Sequence, residues 1–138
     1  MIDLKTHSGR KANRRLRQEV VIWLITVDAS STPQPRPVWY DWDGETFLIF
    51  SQPNTGKLRH IARNPGVALH LSTDREGAEV VVLTGRAEIM ALPPDPDRLK
   101  RYLRRYRSLI KGLGMTAAQF AQEYSVPILV TPTSLRGW

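Results

Sequence analysis

Lys57 and Arg59 occupy the first turn of a short helix, where a cation is poorly placed. The segment "NTGKLRHIARNP" (54–65) predicts that helix: Asn54 or Thr55 can cap it, Leu58, Ile61 and Ala62 make an apolar stripe, and Pro65 stops it. The N–H groups of a first turn already carry partial positive charge, so each cation there costs roughly 0.3–1 kcal/mol. An anion would offset that cost. Free N–H groups, the hydroxyls of Ser51 and Thr55 and the Lys57 ammonium together make a phosphate cradle.

Other residues that could do chemistry are sparse. The chain has no Cys, hence no thiol nucleophile, thiolate metal site or disulfide. His7, His60 and His70 share no metal-ligand spacing, so no metal site is expected. No nucleophile elbow, phosphate-binding Walker loop or carboxylate pair is present, and no catalytic side chain is assigned. Any redox or transfer chemistry would have to come from a bound cofactor. "GLGMTA" (112–117) fits the dinucleotide pattern G-x-G-x-x-A only superficially, because it joins two predicted helices instead of a strand and a helix.

Charge points to an anionic partner. The formal net charge is +7 and the pI about 10.2, with 15 Arg against 5 Lys. A phosphorylated cofactor, a nucleic acid or an acidic membrane would suit that balance. Residues 98–111 carry Arg98, Lys100, Arg101, Arg104, Arg105, Arg107 and Lys111 without one acid, which reads as a solvated helix face or a polyanion contact. A basic nucleic-acid-binding module is therefore one function class, but no recognition motif supports it.

The elements that must position these residues fill a single domain, 1–138. Residues 1–19 read as a basic arm or helix. Val20 to Val27 reads as the first strand; it is too short to span a bilayer, and Gln18 and Glu19 separate it from the basic residues before it. "DASSTPQPRP" (28–37) reads as a proline-stiffened loop. Two β-rich runs around Asp43-Gly44 predict a hairpin. Strands follow at 67–73 and 78–90, with Gly85 marking a bulge or close approach. A helix to about Lys111 puts Leu99, Tyr102, Leu103, Tyr106, Leu109 and Ile110 on one face. A second, at 116–124, carries a possible Thr116–Gln119 capping box, and a strand follows at 127–131. This order predicts a small closed barrel with helices outside.

In that order "PVWYDWDGETFLIFS", "TGKLRHIARNPGVALHL", "LTGRAEI" and "VTPTSLRGW" resemble the pyridoxamine 5′-phosphate oxidase-like split barrels, and within them the small actinobacterial branch of deazaflavin-dependent oxidoreductases. The resemblance runs from about residue 12 to 138. It implies a mainly β (α+β) fold, a six-stranded Greek-key split barrel with two or three flanking helices. It implies a homodimer with cofactor sites at the subunit interface; the cytoplasmic location expected fits the absence of Cys. The function it implies is hydride transfer between coenzyme F420 and a conjugated small molecule, with FMN as the alternative cofactor. By position, Thr55, Gly56 and Lys57 would hold the cofactor phosphate, with Arg59 a further candidate. Pro37, Val38, Trp39, Phe50 and Ser51 would flank the ring, and Trp138 would reach towards the partner's site. Tyr40 and Trp42 join Trp39 as candidates for the substrate face, with core packing the equal alternative for all three. The arginine-rich helix is the expected contact for the glutamate tail that F420 carries and FMN lacks. Some relatives have an arginine where this chain has Thr55, and the residues with which pyridoxamine oxidases grip their substrate's phosphate are not evident.

Overall fold

The computed structural model describes residues 2–138. The elements run α1 (His7–Gln18), β1 (Ile22–Val27), β2 (Pro33–Val38), β3 (Asp41–Trp42), β4 (Phe47–Ser51), α2 (Gly56–Arg63), β5 (Gly66–His70) and β6 (Val81–Ile89). After these come α3 (Pro96–Arg105), α4 (Arg107–Gly112), α5 (Ala117–Glu123) and β7 (Val126–Gly137). The strands form one antiparallel sheet in the order β2-β1-β5-β6-β7-β4-β3, curled into a split barrel. Seven strands stand where six were expected, the extra one being β2, in the segment read as a loop.

Alternation builds the barrel core. Ile22 and Leu24 of β1 point inward with Leu69 of β5, Leu83 of β6, Phe47 and Ile49 of β4, and Ile128 and Val130 of β7. Leu16 and Ala12 of α1 and Ile61 of α2 join them. Leu58 packs against this core as expected, whereas Ala62 is exposed.

The prolines at 33–37 make a strand, not a loop. β2 pairs with β1 in the register Thr26↔Gln34, Leu24↔Arg36 and Ile22↔Val38. Pro33, Pro35 and Pro37 alternate with these residues, so every residue that can donate an N–H faces β1. The free edge offers carbonyls but no N–H, which a proline-rich sequence tolerates only at a sheet edge.

Other departures have equally local causes. β7 runs on to Gly137 because β6 pairs with it along its whole length. Pro132 survives in that central strand by sitting at a bulge opposite Gly85, where an added Cβ would come within 2.5 Å of the Thr131 carbonyl. The predicted long helix is broken at Tyr106 into α3 and α4. The Asp43-Gly44 hairpin is present, with Gly44 at φ 95° and the Asp43 carboxylate accepting from the N–H groups of Glu45 (2.8 Å) and Thr46 (2.7 Å). Thr116 and Gln119 form their capping box, and "GLGMTA" links α4 to α5 as a helix–helix connection.

Helices α3–α5 build a second apolar cluster. Tyr102, Tyr106, Ile110 and Phe120 are buried there, and Trp39 and Phe50 of the barrel pack against them. The candidate site lies at this junction.

Candidate functional site

A cleft of about 280 Å³ is lined by Pro37, Val38, Trp39, Phe50 and Lys57 from the barrel side, and by Tyr102, Leu113, Phe120 and Tyr124 from α3–α5. Its walls are aromatic. Trp39 stacks on Tyr106 (4.8 Å between centroids, 7° between planes) and on Phe120 (5.6 Å, 23°), and Phe120 stacks on Tyr124 (4.5 Å, 16°). Phe50 meets Tyr102 edge-on at 4.8 Å. Burial pushes the Tyr102 phenol well above its ordinary pKa, so it stays neutral and protonated.

Lys57 is the one charged side chain in this lining. Burial, helped by the nearby Arg36 guanidinium, pulls its ammonium below the ordinary lysine value. Among the described residues no carboxylate pairs with Lys57. A partly desolvated cation beside a second cation, without a counter-ion, is unfavourable in the free protein and favourable once an anion arrives.

The start of α2 differs in detail from the expected cradle. Thr55 occupies the N-cap position, but its side chain makes no capping bond. Its hydroxyl instead shares a 3.0 Å hydrogen bond with Ser51 Oγ, which also donates to the Gln52 carbonyl at 2.8 Å. Asn54 takes φ 63° to turn the chain into the helix. The first-turn N–H groups therefore keep no side-chain cap.

Of the expected residues, the structure brings Pro37, Val38, Trp39, Phe50 and Lys57 into one cleft. Thr55 and Gly56 precede Lys57 at the helix start without lining it, and Ser51 is buried. Arg59 turns away: it donates to the Asn54 carbonyl at 3.0 Å and lines a separate recess with Asp28, Ser30, His60 and Arg63. Trp138 is exposed at the far end of β7, its N–H bonded to the Val80 carbonyl, outside the cleft. Tyr40 and Trp42 belong to the core, donating to the Leu16 carbonyl (2.7 Å) and Asn13 Oδ1 (2.8 Å), so Trp39 alone of those three faces the cleft. The sequence reading did not assign Tyr102, Leu113, Phe120 or Tyr124 to the site. The sequence places Tyr102 only on the apolar face of a helix, and the i, i+4 spacing of Phe120 and Tyr124 is the available signal.

Three of the seven basic residues in this run, Arg98, Arg101 and Arg105, bind inside the molecule, while Lys100, Arg104, Arg107 and Lys111 stay exposed. Asp41, 2% exposed, receives Arg98 Nε at 2.6 Å and Arg101 Nη2 at 2.7 Å. Arg105 donates to the carbonyls of Arg17 (2.7 Å) and Glu19 at the end of α1 and lies over the Tyr40 and Tyr106 rings. These bonds hold α3 against the β3–β4 hairpin and α1, and so fix one wall of the cleft.

A curled antiparallel sheet with a cationic, aromatic cleft beside an edge strand defines a split-barrel protein. Residues 9–137 match the family model for pyridoxamine 5′-phosphate oxidase, and the chain belongs to that family. Among solved structures it is similar to a Listeria innocua protein provisionally assigned as a pyridoxamine 5′-phosphate oxidase, at 22% identity over 93% of this chain and 95% of that one, with a TM-score of 0.70. It is similar to an F420 reductase at 25% identity, covering 90% and 94% of the two chains, with a TM-score of 0.66. The Vibrio cholerae heme storage protein HutZ shares the fold at 15% identity, over 96% and 95% of the chains, with a TM-score of 0.70. No curated protein matches the sequence. No helix among the described residues is long and apolar enough to cross a membrane.

Proposed function

We propose that this protein is a coenzyme F420-dependent oxidoreductase that reduces a conjugated small-molecule acceptor. The observation that carries the reading is the partly buried Lys57 ammonium, set beside Arg36 without a carboxylate partner in an aromatic cleft. A phosphate-bearing flat cofactor answers both halves of that site. The F420 reductase among the structural relatives supports the same cofactor class.

Lys57 and the uncapped N–H groups at the start of α2 would hold the phosphate. Pro37, Val38, Trp39 and Phe50 would flank the ring, and the apolar walls would keep water from it. When bound, reduced F420 supplies a hydride; the acceptor gains that hydride and one proton from solvent, and two electrons leave the cofactor. No lining residue is a carboxylate or histidine, and burial makes the Tyr102 phenol a weaker acid than usual, so the proton is assigned to solvent.

The choice of F420 over FMN rests on charge beyond the cleft. Arg36 on β2 stands near Lys57, and Arg59 and Arg63 lie further along the same helix α2, whereas Arg98, Arg101 and Arg105 are bound to Asp41 or to the end of α1. A polyglutamate tail would follow the first group, which revises the expectation that the α3 arginines meet it. Fluorescence titration of the purified protein with F420 and with FMN tests the reading. Tighter binding of F420 supports it, and binding of FMN alone replaces it with an FMN enzyme on the same fold.

We further propose a homodimer. Trp23 and Ile25 of β1, Ala68 and His70 of β5 and Val82 of β6 share one partly exposed face of the sheet, with Trp23 stacked on His70. Pro35 and Pro37 lie opposite Ile25 and Trp23 in the register, and Pro37 also lines the cleft. A second copy on this face would stand beside the site.

A further inference from the structure

We infer that a second, larger pocket adjoining the cleft binds the acceptor, and that this acceptor is a neutral conjugated ketone carrying an alkyl arm; the inference rests on reading the cleft as the cofactor site. The pocket encloses about 410 Å³ between α3, α5 and the segment 90–94, within the size range of small-molecule sites. It shares Phe50, Phe120 and Tyr124 with the cleft, so these three side chains are walls common to the two spaces.

Its chemistry selects the ligand. The chain carries 20 Lys and Arg and 13 Asp and Glu in 138 residues, yet none of them lines this pocket. A carboxylate or phosphate would be desolvated here without a counter-ion, which excludes the anionic acceptors that the surface charge would otherwise attract. Leu99 and Leu103 of α3 and Val126 of β7 offer apolar surface for an alkyl arm. The hydroxyls of Tyr124 and Ser125 are the polar side-chain groups of the lining. Either can donate a hydrogen bond to a carbonyl, and Tyr124 stands at the wall shared with the cleft. A ketone bound by that hydroxyl would keep its conjugated carbons towards the cleft and its arm between α3 and α5.

Two measurements test this. Neutral, polarity-sensitive Nile red reports on the pocket without cofactor, and reduced F420 with 3-methyl- and 3-hexylcyclohex-2-enone reports on turnover. Ala121→Trp fills the pocket from an exposed position on α5, and Leu92→Asp places a charge at its lip, where Leu92 is 73% exposed; neither residue lines the cofactor cleft. The wild type should bind Nile red with increased fluorescence, and each variant should weaken that binding by about tenfold or more. KM for the hexyl enone should lie below that of the methyl enone in the wild type, and Ala121→Trp should raise the hexyl value about tenfold while F420 affinity stays unchanged. Equal KM values for the two enones, or Nile red binding indifferent to both variants, would overturn the inference and leave the cofactor reading intact. Failure of F420 and FMN to bind would instead remove the cofactor reading. In that event, Nile red binding lost in Ala121→Trp would still support a neutral-ligand pocket, and its persistence there would overturn it.

Discussion

Trp39 lies flat on Tyr106, with ring centroids 4.8 Å apart and planes 7° from parallel, and this stack joins the barrel edge to the helices that roof the cleft. The Tyr106 hydroxyl reinforces the joint. It accepts the Tyr40 N–H at 2.9 Å and faces the carbonyls of Val20 and Tyr40 at 2.7 and 2.8 Å. Tyr106→Phe keeps the stack and removes the hydroxyl, leaving the buried Tyr40 N–H without its partner. Urea unfolding should show a loss of about 1–3 kcal/mol, with the secondary structure retained.

Asp41 ties α3 to the β3–β4 hairpin through Arg98 and Arg101. Burial pushes its carboxyl up, but hydrogen bonds from Arg101 and Arg98 outweigh burial and hold it below the ordinary carboxylate range. A carboxyl with a depressed folded pKa stabilises the fold above its unfolded value of about 3.9 and loses that contribution as pH falls through the folded value. Asp41→Asn should therefore cost about 1–3 kcal/mol at neutral pH, less than a fully buried pair because Arg101 is half-exposed. Thermal unfolding followed into acid should show the gap between the two proteins closing below about pH 4.

The barrel was legible wherever side-chain alternation sets the structure. Val20–Val27, the Asp43-Gly44 hairpin, the Gly85 bulge and the Thr116 capping box each announced themselves by local chemistry. The prolines at 33–37 misled, because proline signals a loop unless its alternation matches the free edge of a sheet, and edge position is a tertiary fact. Lys57 was legible because a cation in a first turn is anomalous on its own helix. The cleft's far wall was not: Tyr102, Phe120 and Tyr124 sit on amphipathic helices, whose apolar faces look alike whether they close a core or line a site. The run of arginines read as free positive charge. The commitment of Arg98, Arg101 and Arg105 to Asp41 and the carbonyls ending α1 depends on partners 57 or more residues away in the chain.

The glutamate tail should report on the cations around α2. Affinity for F420 should fall steeply between about 50 and 500 mM salt, because exposed charge contacts are screened as the Debye length drops below about 10 Å. FMN should show a shallower dependence. Arg59→Glu combined with Arg63→Glu should flatten the F420 slope, and Lys100→Glu with Arg104→Glu on α3 should leave it in place. Affinity rising with glutamate number would agree; equal slopes for the tailed and tailless cofactors would refute the tail contact.

Light scattering at micromolar concentration should give about twice the chain mass of 15.7 kDa. Trp23→Asp, on the partly exposed sheet face, should shift that mass towards the monomer without unfolding the barrel, since Ile22 and Leu24 carry the inward side of β1. A wild-type monomer would count against an interface beside Pro37.

Lys57 tests the account most directly. Its ammonium is partly buried and lacks a carboxylate partner among the described residues, so Lys57→Ala should leave the free protein folded and at least as stable. Fluorescence titration of wild type and variant with F420 measures what the ammonium contributes to binding. The account predicts tight binding to the wild type and a loss of about 1.5–3 kcal/mol in the variant, roughly ten- to a hundredfold, as for one charge-assisted hydrogen bond to phosphate. Equal affinity in the two proteins would contradict it and take the cofactor phosphate away from the start of α2.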